Sequence, residues 1–219
     1  MKDKKKIGLL LSGCGRSDGS EIHETVLTIL FLNKAGVKIV FIAPDIQFNV
    51  VNPLTNENTN ETRSLLVEAC RISRGEINNI TNIQESDLDA IILPGGSGPI
   101  KNLSNFAEKG SDAQVNQEVE KLIIDMNKHD KPIGAICIAP VIVAKILAHK
   151  NISVTIGNDK VTASKIEAMG CKHVECAVKD IIIDQADKVV TTPAYMLGPE
   201  IKDIAVGIEK LVNKIIELA

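Results

Sequence analysis

Aromatic residues are nearly absent from this chain. Phe, Tyr and Trp together make up 2% of its 219 residues, with no Trp and a single Tyr. No ladder of rings is available on which unpaired bases could stack, and a formal net charge of −3 supplies no surplus of cations to track a phosphate backbone. A nucleic-acid partner is therefore not expected. Long apolar runs are missing too. The longest, Ala135–Ala144, has ten residues and stops at Lys145, well short of the roughly 18–20 residues that a membrane helix requires. No membrane association is expected. The five Cys (14, 70, 137, 171, 176) are odd in number, which points to reduced thiols in a cytoplasmic protein and away from a disulfide framework. Metal-ligand spacing is also lacking. Cys171-Lys-His-Val-Glu-Cys176 has no second ligand pair, and side-chain alternation along a strand would scatter its donors, so no metal is expected.

What remains is ordinary globular composition, 44% hydrophobic and 24% charged, with a core built from Ile, Val, Leu and Ala. Leu11-Ser12-Gly13-Cys14 behind the basic Met1–Lys6 resembles a lipoprotein cleavage box. Its apolar stretch, Ile7–Leu11, is five residues against about 7–15 for a secretory signal, so it reads as a first strand ending in a Gly turn. Short apolar runs then alternate with longer amphipathic segments. Strands are expected at Ile7–Ser12, Val37–Ala43, Ala90–Leu93, Pro132–Ile136 and Ile152–Ile156. Helices are expected at Ser20–Asn33, Glu61–Ser73, Asp112–Lys128, Ala139–Leu147, Thr162–Met169 and Gly198–Leu218. The first helix carries Ile22, Val26, Ile29 and Leu30 on one face. Asn52–Thr62, rich in Asn and Thr, reads as a loop. Ile181–Asp184 and Lys188–Thr192 read as an antiparallel hairpin. Fully apolar strands alternating with helices imply an α/β fold of three layers, doubly wound, around a mostly parallel sheet, in a single domain over 1–219. In such a sheet chemistry gathers at the carboxyl ends of the strands.

Cys137 stands at one of those ends, between the strand Pro132–Ile136 and a helix that starts almost at once. Ala135 and Ala139 flank it at two residues on either side. A nucleophile elbow needs small residues there, because strand and helix approach closely around a sharp turn. A thiol at a helix N-terminus is expected to be stabilised as thiolate. Glu21 and Glu24 lie three apart in the first helical turn and hence on one face, so either could share a proton with Cys137. His23 between them is a second-tier candidate. Pro94-Gly95-Gly96-Ser97-Gly98 follows an apolar strand and could turn backbone N–H groups toward a cavity, as an oxyanion hole requires.

Six segments in order carry a resemblance to a known family. They are Leu10-Leu-Ser-Gly-Cys-Gly15, Asp18-Gly-Ser-Glu-Ile-His-Glu-Thr25, Pro94-Gly-Gly96, Lys101-Asn-Leu-Ser-Asn-Phe106, Cys137-Ile-Ala-Pro140 and Thr191-Thr-Pro-Ala-Tyr-Met196. Together they resemble the enhancing-lycopene-biosynthesis proteins, amidotransferase-like members of the ThiJ/PfpI superfamily. The resemblance implies a flavodoxin-like sheet, a homodimer, an elbow Cys at 137 and a first-helix Glu paired with it, Glu24 before Glu21. It also implies oxyanion or substrate contacts at Gly95, Gly96, Ile138 and Asn102, with His23 and Tyr195 farther out. The implied activity is a cofactor-free glyoxalase converting glyoxal, a small dicarbonyl, to glycolate through a Cys hemithioacetal, with slow turnover expected. The alternatives are a thiol-based redox sensor, a deglycase-like protein, or a non-catalytic accessory of isoprenoid biosynthesis. Ile138 stands where the PfpI proteases have His after the elbow Cys, and no His-x-Glu lies near the C-terminus as in glutamine amidotransferases. Neither peptidase nor amidotransferase chemistry is expected. Gly157 stands where the deglycase branch has His at the end of the strand after the elbow helix.

Overall fold

The computed structural model describes residues 4–219, so the first three positions of the basic Met1–Lys6 stretch lie outside the described residues. In chain order the elements are β1 (Lys6–Leu10), α1 (Ile22–Lys34), β2 (Lys38–Ala43), β3 (Gln47–Val51), β4 (Asn58–Ser64), α2 (Leu65–Ile72), β5 (Asn78–Asn79) and β6 (Ala90–Leu93). There follow α3 (Gly98–Lys101), α4 (Phe106–Lys109), α5 (Gln117–Lys128), β7 (Ile133–Ile136), α6 (Pro140–Ile146) and β8 (Ser153–Val154). The chain closes with α7 (Lys160–Ala168), β9 (Lys172–His173), β10 (Ile182–Asp184), β11 (Val189–Thr192) and α8 (Ile201–Leu218).

The main sheet runs β10-β11-β7-β6-β1-β2-β5 and is parallel except for the terminal pair β10–β11. β6 and β7 are buried at every position, and β1 after its first residue. Continuous burial explains why these strands read as unbroken apolar runs. From β1 the chain winds one way through β2 to β5, and later the other way through β6 and β7 to β11. The reversal lies between β1 and β6, the crevice where ligands bind in open sheets of this kind. The segments after β1, β6 and β7 all emerge there. α8 closes the core with Ile204, Ile208, Leu211, Val212 and Ile215, each fully buried, and each worth about 1.5–3 kcal/mol of burial.

Several local expectations are corrected. The face of α1 turned inward is not the Ile22, Val26, Leu30 stripe, whose members stay 44–50% exposed. Glu24, Thr25 and Thr28 are buried instead, alongside Phe31 and Leu32. The hydroxyls of Thr25 and Thr28 donate to the carbonyls of Glu21 and Glu24, at 2.6 and 2.7 Å, so polar residues can face inward without unpaired groups. The expected loop Asn52–Thr62 and the start of the expected helix at Glu61 are in large part β4, paired antiparallel with β3 as a separate two-stranded ribbon. Most of β4 is exposed, so no burial alternation marks it. Finally, the short strand expected at Ile152–Ile156 pairs with β9 off the main sheet, and the expected helix from Asp112 begins only at Gln117, behind the cap of Asn116.

Candidate active site

Cys137 follows the last residue of β7 and adopts φ 62, a left-handed conformation that a non-glycine residue takes at a cost of about 1–3 kcal/mol. Its own N–H donates to the Thr192 carbonyl at 2.9 Å. The fully buried Ala135 and Ala139 let the turn close against the sheet. The sulfur is thereby presented at the strand end, 7% of the residue remaining exposed.

Glu24, fully buried on α1, supplies the facing carboxyl group. One oxygen, Oε2, accepts from the Gly95 N–H at 3.0 Å; the other, Oε1, accepts from the Tyr195 N–H at 3.2 Å. Oε2 and the Cys137 sulfur meet against Gly95, where an added Cβ would lie 2.7 Å from the one and 3.0 Å from the other. Glu21 does different work. It is the N-cap of α1, and its Oε2 accepts from the Glu24 N–H at 2.8 Å, a contact that fixes the first helical turn. The carboxylate beside the sulfur is thus that of Glu24, with Glu21 at the cavity wall.

Gly96, from the turn after β6, and Ile138, next to the elbow, line the cavity together with Cys137 and bring backbone N–H groups to its neighbourhood. Gly95 departs from its expected part as an oxyanion donor, because its N–H is engaged by Glu24. Asn102 also departs from expectation. Its amide donates to the carbonyls of Ser12 and Asp18, at 3.0 and 2.7 Å, so it ties the loop after β1 instead of lining the Cys137 cavity. His23 and Tyr195 both line that cavity, and the tyrosine hydroxyl and His23 Nδ1 are 2.7 Å apart.

The electrostatics reverse one expectation. Burial first, and then the nearby charge of Glu24, push the Cys137 thiol well above its ordinary range, against the opposing pull of the Gly96 N–H. A short helix of seven residues starting at Pro140 does not outweigh them. The resting sulfur is therefore a thiol, not the thiolate that the helix terminus suggested. Burial, with Glu21 adding to it, lifts the Glu24 carboxyl from 4.5 to about 7. Near neutral pH the pair is a protonated nucleophile beside a carboxylate able to take its proton.

The cavity over Cys137 has a volume of about 780 Å³. It is walled by the loop after β1 (Arg16, Ser17), the start of α1 (Glu21, His23), Asn56 from the β3–β4 turn, α3 (Ile100, Lys101) and Tyr195 with Met196. Arg16 and Asn56 were not singled out from sequence, and Lys101 entered only as part of a resembling segment, since no spacing connects two loops and α3. At Gly157, φ is 95 and an added Cβ would lie 2.7 Å from Leu197 Cγ. The side chain of Leu197 thus fills the space where a related branch has a titratable group. His173 is elsewhere, its Nε2 accepting from the Ile156 N–H at 3.4 Å. Among the described residues no cluster of three or more His, Cys, Asp or Glu is arranged to hold a metal ion. Nor is any described helix long and apolar enough to cross a membrane.

Comparison with known proteins gives the following. Residues 15–197 match the DJ-1/PfpI family. The "ES1 protein homolog, mitochondrial" of Rattus norvegicus is 40% identical over 228 residues, covering 99% of this chain and 85% of the relative. The human "Glutamine amidotransferase-like class 1 domain-containing protein 3, mitochondrial" is also 40% identical, over 97% of this chain and 83% of its own. A crystal structure described as an isoprenoid biosynthesis protein with amidotransferase-like domain, from Ehrlichia chaffeensis, superposes with a TM-score of 0.92 at 31% identity, covering 98% of this chain and 99% of that one. Drosophila melanogaster DJ-1beta shares the fold at a TM-score of 0.57 and 18% identity, over 99% of this chain and 96% of its own.

Proposed function

The chain belongs to the DJ-1/PfpI family, and on that premise we propose that it is a glyoxalase-like enzyme, converting glyoxal to glycolate through a covalent adduct on Cys137 without a cofactor. The observation that carries this reading is the buried Glu24 carboxyl beside the Cys137 sulfur, both packed against Gly95 under an open cavity.

Glu24 takes the thiol proton as Sγ adds to one aldehyde carbon, forming a carbon–sulfur bond. The N–H groups of Gly96 and Ile138, which line the cavity beside Cys137, stabilise the resulting oxyanion, each such donor contributing about 3 kcal/mol. Glu24 returns that proton to the oxyanion, which gives a hemithioacetal and restores its carboxylate. Glu24 then removes the proton from the attacked carbon and returns it to the neighbouring carbon by way of an enediol. The attacked carbon is oxidised to a thioester while its neighbour is reduced to an alcohol, so no external oxidant is needed. Water cleaves the thioester, releasing glycolate and restoring the thiol. A positioned acid–base group of this kind contributes about 10²–10⁴ in rate.

Because Glu24 must be ionised to act as the base and titrates near 7, kcat/KM for glyoxal should rise about tenfold between pH 6 and pH 8. A profile that is flat or falling across that interval, measured with a pH-insensitive assay for glycolate, contradicts the assignment.

The homodimer implied by the resemblance is part of this proposal. Its support is the exposed stripe Ile22, Val26 and Leu30, one helical turn apart along α1. Sedimentation velocity should show a dimer for the parent chain and a monomer for Leu30→Lys; a monomeric parent overturns it.

A further inference from the structure

The net charge of the chain is −3, yet the rim of the Cys137 cavity is basic. Arg16 and Lys101 both line it and both are exposed. Arg16 is fixed at its backbone, where its carbonyl accepts from the Ser97 N–H at 2.8 Å, opposite the turn that holds Gly95 and Gly96. Lys101 Nζ donates to the Ser17 carbonyl at 3.1 Å, an uncharged partner that leaves its charge uncompensated. Among the described residues neither side chain takes part in an ion pair.

The acids nearby keep their charges but are turned to the backbone, and Glu21, 7% exposed, is the one on the cavity wall. Glu21 caps α1 through its Oε2, Glu24 faces the sulfur, and Asp18 accepts from the Val51 N–H at 2.9 Å. Glyoxal is small and neutral and has no use for two cations or for a cavity of about 780 Å³. Basic groups at the mouth of a concave site raise the local concentration of anions, and Arg and Lys are the side chains suited to phosphate and carboxylate.

We infer that the carbonyl substrate of this site carries an anionic group, a phosphate or a carboxylate, that Arg16 and Lys101 bind while Cys137 attacks the carbonyl. This rests on the reading of Cys137 as the nucleophile and narrows its substrate to anionic carbonyl compounds, of which glyoxal is a neutral, truncated analogue.

The test does not need turnover. The full chain is alkylated at Cys137 with iodoacetate, an anion, and in parallel with iodoacetamide, its neutral counterpart, and modification is followed by peptide mass. In each case a carbon–sulfur bond forms and iodide leaves. The ratio of the iodoacetate rate to the iodoacetamide rate should fall about threefold in Arg16→Gln or Lys101→Gln, and about tenfold in the double variant or in high salt. A ratio that the single and double variants leave unchanged overturns the inference. Inorganic phosphate and acetate are then compared as protectants against iodoacetamide. Protection at lower phosphate concentration assigns a phosphate group, protection at lower acetate concentration assigns a carboxylate, and protection by neither contradicts the inference. Loss of glyoxal conversion with the ratio intact would instead sink the reaction while leaving the anion site standing.

Discussion

Glu24→Gln should lower glycolate formation by about 10²–10⁴-fold while making the protein more stable at pH 8. The two effects have one origin. The carboxyl group is fully buried, and burial lifts it from 4.5 to about 7. Between those values the folded chain keeps a proton that the unfolded chain has released, so stability falls as pH rises through the interval and stays lowered above it. The ionised group costs the folded state about 3 kcal/mol at pH 8. An amide of the same size removes that cost. It can still accept from the Gly95 N–H, but its NH₂ group cannot accept from the Tyr195 N–H as Oε1 does, a loss of about 1 kcal/mol. The variant should therefore melt higher than the parent at pH 8 and slightly lower at pH 4.5. Parallel melting curves with no crossover would show that Glu24 is not the strained, titrating group described above. Retained activity would show that it is not the base.

Gly95→Ala should abolish measurable turnover without unfolding the chain. Gly95 is not in the left-handed region, so its backbone tolerates alanine. The obstacle is space: an added Cβ would lie 2.4 Å from Cys137 Cβ, 2.7 Å from Glu24 Oε2 and 3.0 Å from Cys137 Sγ. The methyl group would wedge between the two reacting side chains. Overpacking of this kind costs about 1–3 kcal/mol, which a domain of ordinary stability survives. The proton transfer, which needs hydrogen-bond reach, would not survive. The expected result is a folded protein by circular dichroism, with glycolate formation down at least about 10²-fold. Near-normal turnover would mean that the close approach at Gly95 has no catalytic consequence. Gly96 is a different case, since its φ of 87 and a Cβ only 2.4 Å from the Gly19 carbonyl oxygen make any substitution a backbone problem.

The parts of this molecule that were legible in sequence are those where burial is one-dimensional. β6 and β7 are short apolar runs because both faces of the sheet are covered, and Ala135 and Ala139 mark the elbow because both are fully buried on either side of Cys137. The inward face of α1 was not legible. Hydrophobic periodicity selects Ile22, Val26 and Leu30, whereas the chain buries Glu24 and two threonines whose hydroxyls bond back to the helix. A polar face turned inward is what a working site requires, and periodicity cannot distinguish it from a solvated one. The protonation of Cys137 was missed for a related reason. A helix start is visible in sequence, but the depth of burial and the charge across from it are tertiary. The β3–β4 ribbon, which brings Asn56 to the cavity, carries polar residues on its exposed strand and so resembles a loop.

The central claim is that the Cys137 sulfur is the atom that attacks the carbonyl. Incubating the parent chain and Cys137→Ser with isotopically labelled glyoxal, and following labelled glycolate by NMR, addresses it directly. Glycolate should accumulate with the parent chain and stay at the uncatalysed level with the serine variant. Equal glycolate from both, or none from the parent chain, would contradict it.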